Sequence, residues 1–293
     1  MTAPRLALVT CSRLPDLDPP DRLLRDALLA RGAVAQALAW DDPAVDWAAY
    51  DLAVLRSPWD YAGRREEFVA WAEGVPRLAN PAAVVRWNTD KRYLRSLAES
   101  GVPVVPTSWL EPGDAVVLPD RGEFVVKPAV SAGAQDTGRY DAGDAAQVAL
   151  ARDLARRLLA GGRTVMVQPY LADIDTAGET ALLFLGGEFS HAIRKAPILT
   201  GPYVEGKRDR DTDRITPRIP SAAEHALAAQ VLGAARHCVT ATAGALYARV
   251  DVVPGPDGSP VLLELELTEP SLFLDCADGA ADRFARVLLA AVG

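Results

Sequence analysis

The chain has 293 residues, 49% hydrophobic and 24% charged, with 31 Lys+Arg against 39 Asp+Glu and a formal net charge of -8. That is enough apolar chain for one large or two to three small cores, which excludes disorder as the main state. The acidic balance opposes a nucleic-acid partner, no apolar run nears the ~20 residues of a membrane span, and no signal-peptide stretch opens the chain, so a cytoplasmic protein without nucleic-acid or membrane partners is expected.

In chain order, the first 80 residues alternate strand-like and helix-like segments: Arg5–Cys11, the periodic Arg22–Arg31 ended by Gly32, Val34–Trp40, Leu52–Arg56, a helix over Arg64–Glu73, and Arg77–Asn80. This is the rhythm of a small parallel α/β layer. Thr10-Cys-Ser follows the first strand where a dinucleotide-binding chain would carry GxGxxG. Ligands gather at the carboxyl ends of such strands, so Thr10, Arg56 and Ser57 are candidate substrate contacts. Trp59 and Tyr61 nearby read equally well as loop packing.

Thr89 or Asp90 is placed to cap a helix carrying Lys91, Tyr93, Leu94, Leu97 and Ala98, with Gly101 closing it. Strands are expected over Val102–Trp109 and Glu123–Lys127. Lys127 leaves its strand into the small-residue loop Ala129–Gly138, the kind of loop whose backbone N–H groups, with an ammonium, cover phosphates. A helix over Ala145–Leu159 ends at Gly161-Gly162, and the strand Thr164–Val167 runs into Gln168-Pro-Tyr-Leu171. Thr180–Leu185 and Phe189–Arg194 form a hairpin across Gly186-Gly187. His191 reads mainly as a structural histidine. The polar run Tyr203–Arg214 is expected to cover substrate. Ser221-Ala-Ala-Glu224 is a capping box opening a long helix, two strands follow, and a helix over Ala281–Val292 ends the chain.

Several chemistries find no support. Cys11, Cys238 and Cys276 are widely spaced without CxxC, the three histidines form no HExxH, and no GxSxG starts a nucleophilic triad. Of the 31 basic residues only Lys91, Lys127, Lys195 and Lys207 are lysine. A compact ammonium suits a single phosphate oxygen better than the planar guanidinium does, which draws attention to each lysine.

The strongest signal lies in Leu246–Val253 and Val261–Leu267. Alternation puts Arg249 and Asp251 on one face and Glu264 with Glu266 on one face of the partner. A turn at Asp257-Gly258 sets Asp251 opposite Glu264 and Arg249 opposite Glu266. Carboxylates facing each other across a sheet are destabilising unless a cation lies between them, so Asp251, Glu264 and Glu266 suit one or two Mg²⁺ ions shared with substrate phosphates. The neighbouring leucines make the second strand look buried on both sides.

The order Lys91, Lys127 before a small-residue loop, Gln168-Pro-Tyr-Leu171, Glu179, Arg249-x-Asp251, Glu264-x-Glu266 and Thr268-Glu-Pro-Ser271 resembles the ATP-grasp ligases of the glutathione synthetase and D-alanine–D-alanine ligase type. Within them, Arg56-Ser-Pro-Trp-Asp-Tyr, Arg86–Lys91 and Leu263–Ser271 are most similar to the subfamily that includes a cyclo-ligase forming D-cycloserine from O-ureido-D-serine. The resemblance implies an α/β (α+β) ATP-grasp fold: an N-terminal Rossmann-like α/β domain over 1–85, a lid subdomain over 86–170 and a C-terminal subdomain over 171–293. It implies ATP and Mg²⁺ as cofactors and a small amino-acid-like carboxylate as substrate, with a homodimer left open. It assigns ATP binding to Lys91, Lys127, Ser131, Gly133, Ala134, Gln168, Tyr170, Leu171 and Glu179, and metal binding to Asp251, Glu264 and Glu266. Arg249 and Arg194 take catalytic roles, and Arg56, Ser57, Thr10 and Ser271 substrate contacts. The family's third metal ligand is often Asn, where this chain has Glu266, and its phosphate loop usually has more glycines.

Overall fold

Three sheets organise the chain, each built where apolar side chains on alternate residues can serve two facing layers. A computed structural model describes residues 2–205 and 215–293. The first sheet has β1 (Arg5–Thr10), β2 (Val34–Ala39), β3 (Leu52–Ser57) and β4 (Leu78–Ala79), all parallel, in the order β2-β1-β3-β4, with α1 (Pro19–Ala30) and α2 (Arg65–Gly74) as crossovers. Leu6 and Leu8 of β1 enter one core while Ala7 and Val9 enter another on the opposite face. Cover on both faces is why β1 reads as an unbroken apolar run.

Next come α3 (Ala82–Asn88) and α4 (Tyr93–Glu99). The helix expected to begin at Thr89 or Asp90 and carry Lys91 instead begins at Tyr93, and Lys91 sits in the turn between it and an unforeseen α3. The Asp90 carboxylate accepts from the Arg92 backbone N–H at 3.0 Å and grips its guanidinium, which holds a turn where the first helical residues were expected. Gly101 closes α4 at φ 82°, a left-handed conformation glycine adopts without strain. The strand expected over Val102–Trp109 shrinks to β5 (Ser108–Leu110), because Pro103 and Pro106 have no N–H to give a ladder.

The second sheet joins β5 to β6 (Glu123–Pro128), β7 (Gly138–Asp141) and β8 (Val165–Pro169), antiparallel throughout in the order β5-β8-β6-β7. It packs on α5 (Ala145–Ala160), whose first turn is capped by Asp144 accepting from Ala146 and Gln147. A short α6 (Ile174–Ala177) leads into the third sheet. That sheet holds β9 (Glu179–Leu185), β10 (Glu188–Lys195), β11 (Ile215–Arg218), β12 (Tyr247–Pro254) and β13 (Pro260–Glu266), antiparallel in the order β11-β10-β9-β12-β13. Between β11 and β12 runs α7 (Ala222–Cys238), opened by the Ser221/Glu224 capping box. The chain closes with α8 (Ala280–Ala290). Most of the polar run Tyr203–Arg214, Lys207 included, lies outside the described residues.

The two faces of the third sheet meet different layers. Leu182, Phe184, Ala248, Val250, Leu262, Leu265 and Leu267 pack with α7, whereas Ala181, Leu183, Leu185, Ile193 and Tyr247 share a core with α8 and the first sheet. β13 is thus apolar on one face and charged on the other, and none of its residues is fully exposed. Its outer edge is satisfied without another regular strand. Leu262 exchanges hydrogen bonds with Pro103 and Val105, the Leu265 N–H donates to Tyr93, and the Asn88 side chain bonds both the Leu265 carbonyl and the Leu267 N–H. Asn80 continues the line, donating to the carbonyls of Leu267 and Tyr247 and accepting from the Leu246 N–H. An edge covered this way offers no template for aggregation.

Candidate active site

Cross-strand register collects the charged residues. Arg249 faces Glu266 and Asp251 faces Glu264 across β12–β13, as the alternation predicts. The route to that register differs from the expected one. Beyond the site the pairs are Val252 with Leu262 and Pro254 with Pro260, and a bulge shifts the strands between Asp251 and Val252. An extra residue in one strand re-aims the side chains beyond it, so Leu262 and Leu265 both reach the α7 core while the two glutamates turn the other way. On the opposite edge of β12, Arg249 pairs with Leu183 and Asp251 with Ala181, and across β9–β10 Glu179 pairs with Lys195. One sheet face therefore runs from apolar (Leu185, Leu183, Tyr247) to charged (Glu179, Lys195, Asp251, Arg249, Glu264, Glu266).

Within this face the charges pair closely. Asp251 is 1% exposed and takes Arg249 Nη2 at 2.8 Å and Lys195 Nζ at 2.9 Å. These two cations hold its carboxyl well below the usual carboxylate range despite burial. Arg249 also pairs with Glu266 and donates to the Ser271 carbonyl at 3.2 Å; burial works against its charge and the carboxylates more than offset it. Lys195 pairs with Glu179 as well, and burial holds the Glu179 carboxyl at about 7. Glu264 meets Lys91 Nζ at 3.1 Å. Glu266 is pushed up to about 8, first by burial and then, against Arg249, by Glu264 and Asp251.

The small-residue loop lies against the same cluster. Lys91 Nζ donates to the Ser131 carbonyl at 3.1 Å and lies 3.3 Å from Ser131 Oγ. Gly133, Ala134 and Asp136 all have positive φ, and the loop's shape is fixed because the Asp136 carboxylate accepts from Arg157 at 3.0 Å and Arg163 at 2.6 Å. The Lys127 ammonium forms no hydrogen bond or ion pair with a described residue, and burial lowers it to about 8. Gln168 donates to Thr107 at 2.8 Å, the Tyr170 hydroxyl donates to Asp175 at 2.5 Å, and the Leu171 carbonyl accepts from Ile174, so these three lie along the β8–α6 connection.

Several expected contacts fall elsewhere. Arg194 pairs with Thr180, on the opposite face from Lys195, and donates to the carbonyls of Ala177 and Thr176. Alternation makes Lys195 the cation that faces the carboxylates, and the scarcity of lysine was the signal for it. Gly178 beside it leaves no room for a side chain: a Cβ there would meet the Lys195 carbonyl at 2.6 Å. Thr10 and Ser57 are fully buried and bonded within the first layer, to the Leu14 carbonyl and to Asp21. Arg56 is 0% exposed, ion-pairs with Asp21 at 3.4 Å, stacks near Tyr247 and Phe284, and donates to the Pro270 carbonyl at 2.6 Å. Of the three, Arg56 joins the first layer to the segment after β13. His191 bonds the Leu272 carbonyl and Ser190, a structural role.

Among the described residues no three metal-binding side chains converge as a preformed cage, since each of the three expected ligands is taken by a cation. The donor chemistry nonetheless fits a divalent ion: hard carboxylate oxygens at facing positions, whose mutual repulsion helps to raise Glu266.

Comparison with known proteins identifies relatives of the whole chain. Residues 6–80 match the family model described as the N-terminal domain of D-cycloserine synthetase DcsG. The cycloserine biosynthesis protein DcsG of Streptomyces lavendulae is 40% identical, over 97% of each chain. The crystal structure of D-cycloserine synthetase DcsG superposes with a TM-score of 0.86 at 36% identity, covering 99% of this chain and 100% of that one. At the level of fold alone, D-alanine–D-alanine ligase from Bacillus anthracis complexed with ATP matches with a TM-score of 0.61 at 14% identity, over 99% of this chain and 97% of that one. Identity of 40% across nearly the whole length, on the same α/β frame, makes this chain a member of the DcsG family of ATP-grasp ligases.

Proposed function

We propose that the chain is an ATP- and Mg²⁺-dependent cyclo-ligase that converts O-ureido-D-serine to D-cycloserine. The observation that carries the reading is the single sheet face on which Lys91, Lys195, Arg249 and three facing carboxylates meet. A carboxylate oxygen of the substrate attacks the γ-phosphorus of ATP and ADP leaves. The nitrogen bound to the side-chain oxygen then attacks the acyl phosphate carbon, phosphate departs and the ring closes. The product lacks the carbamoyl group, so water releases it as carbon dioxide and ammonia.

No side-chain nucleophile is required, and the work of the protein is positioning and neutralising charge. Lys127, with no partner of its own among the described residues, and Lys91 receive phosphate oxygens. Ser131, Gly133 and Ala134 cover them, while Gln168, Tyr170, Leu171 and Glu179 hold the nucleoside. Arg249 stabilises the transferring phosphoryl group and the tetrahedral intermediate. Asp251, Glu264 and Glu266 would hold Mg²⁺, which would neutralise the phosphates.

Incubation of the purified protein with ATP, Mg²⁺ and O-ureido-D-serine tests the reading. ADP and D-cycloserine in equal amounts are expected. ADP release that depends on another acid, with no ring product, would sink it.

A further inference from the structure

We propose that Glu269 is the specificity residue that receives the protonated amino group of the substrate, so that the enzyme selects amino acids over otherwise identical acids. The proposal rests on the assignment of the chain as a small-carboxylate ligase and deepens it.

The charge pairing of the site singles this residue out. Asp251, Glu179, Glu264 and Glu266 each have a cation at ion-pair distance, whereas Glu269 forms no ion pair with a described residue. Its side-chain partner is a neutral group, the hydroxyl of the buried Tyr61. It nevertheless belongs to the same cluster, within electrostatic reach of Lys91, Glu264 and Arg249. A half-buried carboxylate with no counter-ion among the described residues is stabilised by a ligand that brings one. Its carboxyl, held at about 7 chiefly by burial, is available as the anion near neutral pH.

The backbone carrying Glu269 is also fixed from outside the sheet. Arg56 holds the Pro270 carbonyl at 2.6 Å and Trp59 Nε1 donates to the Glu269 carbonyl at 3.1 Å. With Tyr61, three side chains from one six-residue stretch of the first layer grip two adjacent residues of the segment after β13. On the other side the Ser271 carbonyl accepts from Arg249. Glu269 is thereby held two residues from the carbonyl that Arg249 binds, within electrostatic reach of that arginine. Such prior fixing reduces the ordering cost of recognition.

The test compares O-ureido-D-serine with 3-(ureidooxy)propanoate, which lacks only the amino group, in wild type, Glu269→Gln and Tyr61→Phe, reading ADP release. Wild type is expected to favour the amino acid by about 100-fold in kcat/KM, and Glu269→Gln to raise KM for the amino acid roughly 10- to 100-fold, as loss of a charged hydrogen bond does. In that variant kcat should stay within about threefold, Mg·ADP affinity should be unchanged, and the preference should fall toward unity. Tyr61→Phe should move the ratio in the same direction by less. A purely structural role would lower kcat/KM for both acids alike and leave their ratio intact, which would overturn the proposal. Equal use of both acids by active wild type would overturn it without any variant. Wild type inert toward the amino acid would instead overturn the functional reading, and this proposal with it.

Discussion

Lys91 Nζ lies 3.1 Å from Glu264 Oε1 and 3.1 Å from the carbonyl of Ser131, so one ammonium ties the carboxylate strand to the small-residue loop. Replacing it by methionine removes a phosphate ligand and leaves Glu264 without its cation. Lys91→Met should weaken Mg·ADP at least about 10-fold, the loss of one charged hydrogen bond, and depress turnover further. If the Lys91→Met and Glu264→Gln effects on ADP affinity simply add in calorimetric titrations, the two residues do not act as a unit.

Lys127 gives a pH dependence of defined sign. Its ammonium is lowered from 10.5 to about 8, so the unfolded chain binds this proton more tightly than the folded one. Its contribution to stability is present above pH 10.5 and is lost as pH falls through about 8. Phosphate binding runs the other way, because it needs the charged form. ADP affinity should fall as pH rises from 7 to 9, and Lys127→Arg, which stays protonated, should flatten that profile in titrations across the same range.

Arg249 is buried with Asp251 and Glu266 as partners. Arg249→Met should destabilise the fold by about 3–5 kcal/mol, the cost of an uncompensated buried charge, and should lower kcat by at least about 100-fold. Adding Asp251→Asn should recover a good part of the stability and none of the activity. Denaturant melts and turnover, measured on the same preparations, separate the two effects.

Asn80 sits at φ 57° with all three of its side-chain bonds directed at Tyr247, Leu267 and Leu246. Asn80→Ala strands two buried carbonyls and the part-buried Leu246 N–H, so a loss of about 2–3 kcal/mol is expected in urea unfolding. A loss under about 1 kcal/mol would mean that water replaces the amide.

Much of this was legible from the chain because periodicity reports burial. The parallel first layer, the β9–β10 hairpin, the Ser221 capping box and the facing of Asp251 with Glu264 follow from alternation and turn chemistry, which act over a few residues. Four lysines among 31 basic residues pointed at phosphate contacts, and three of them stand in or beside the charged cluster. Packing between distant segments decided the rest. Pattern alone gave no sign that Leu263 bulges, that Lys195 faces the carboxylates in place of Arg194, or that Arg56 is spent on the Pro270 carbonyl. Nor could it pair Tyr61 with Glu269, 208 positions apart. Local sequence sets which face of an element is apolar; which charge meets which depends on the neighbours that the folded layers bring together, and that is a property of tertiary structure alone.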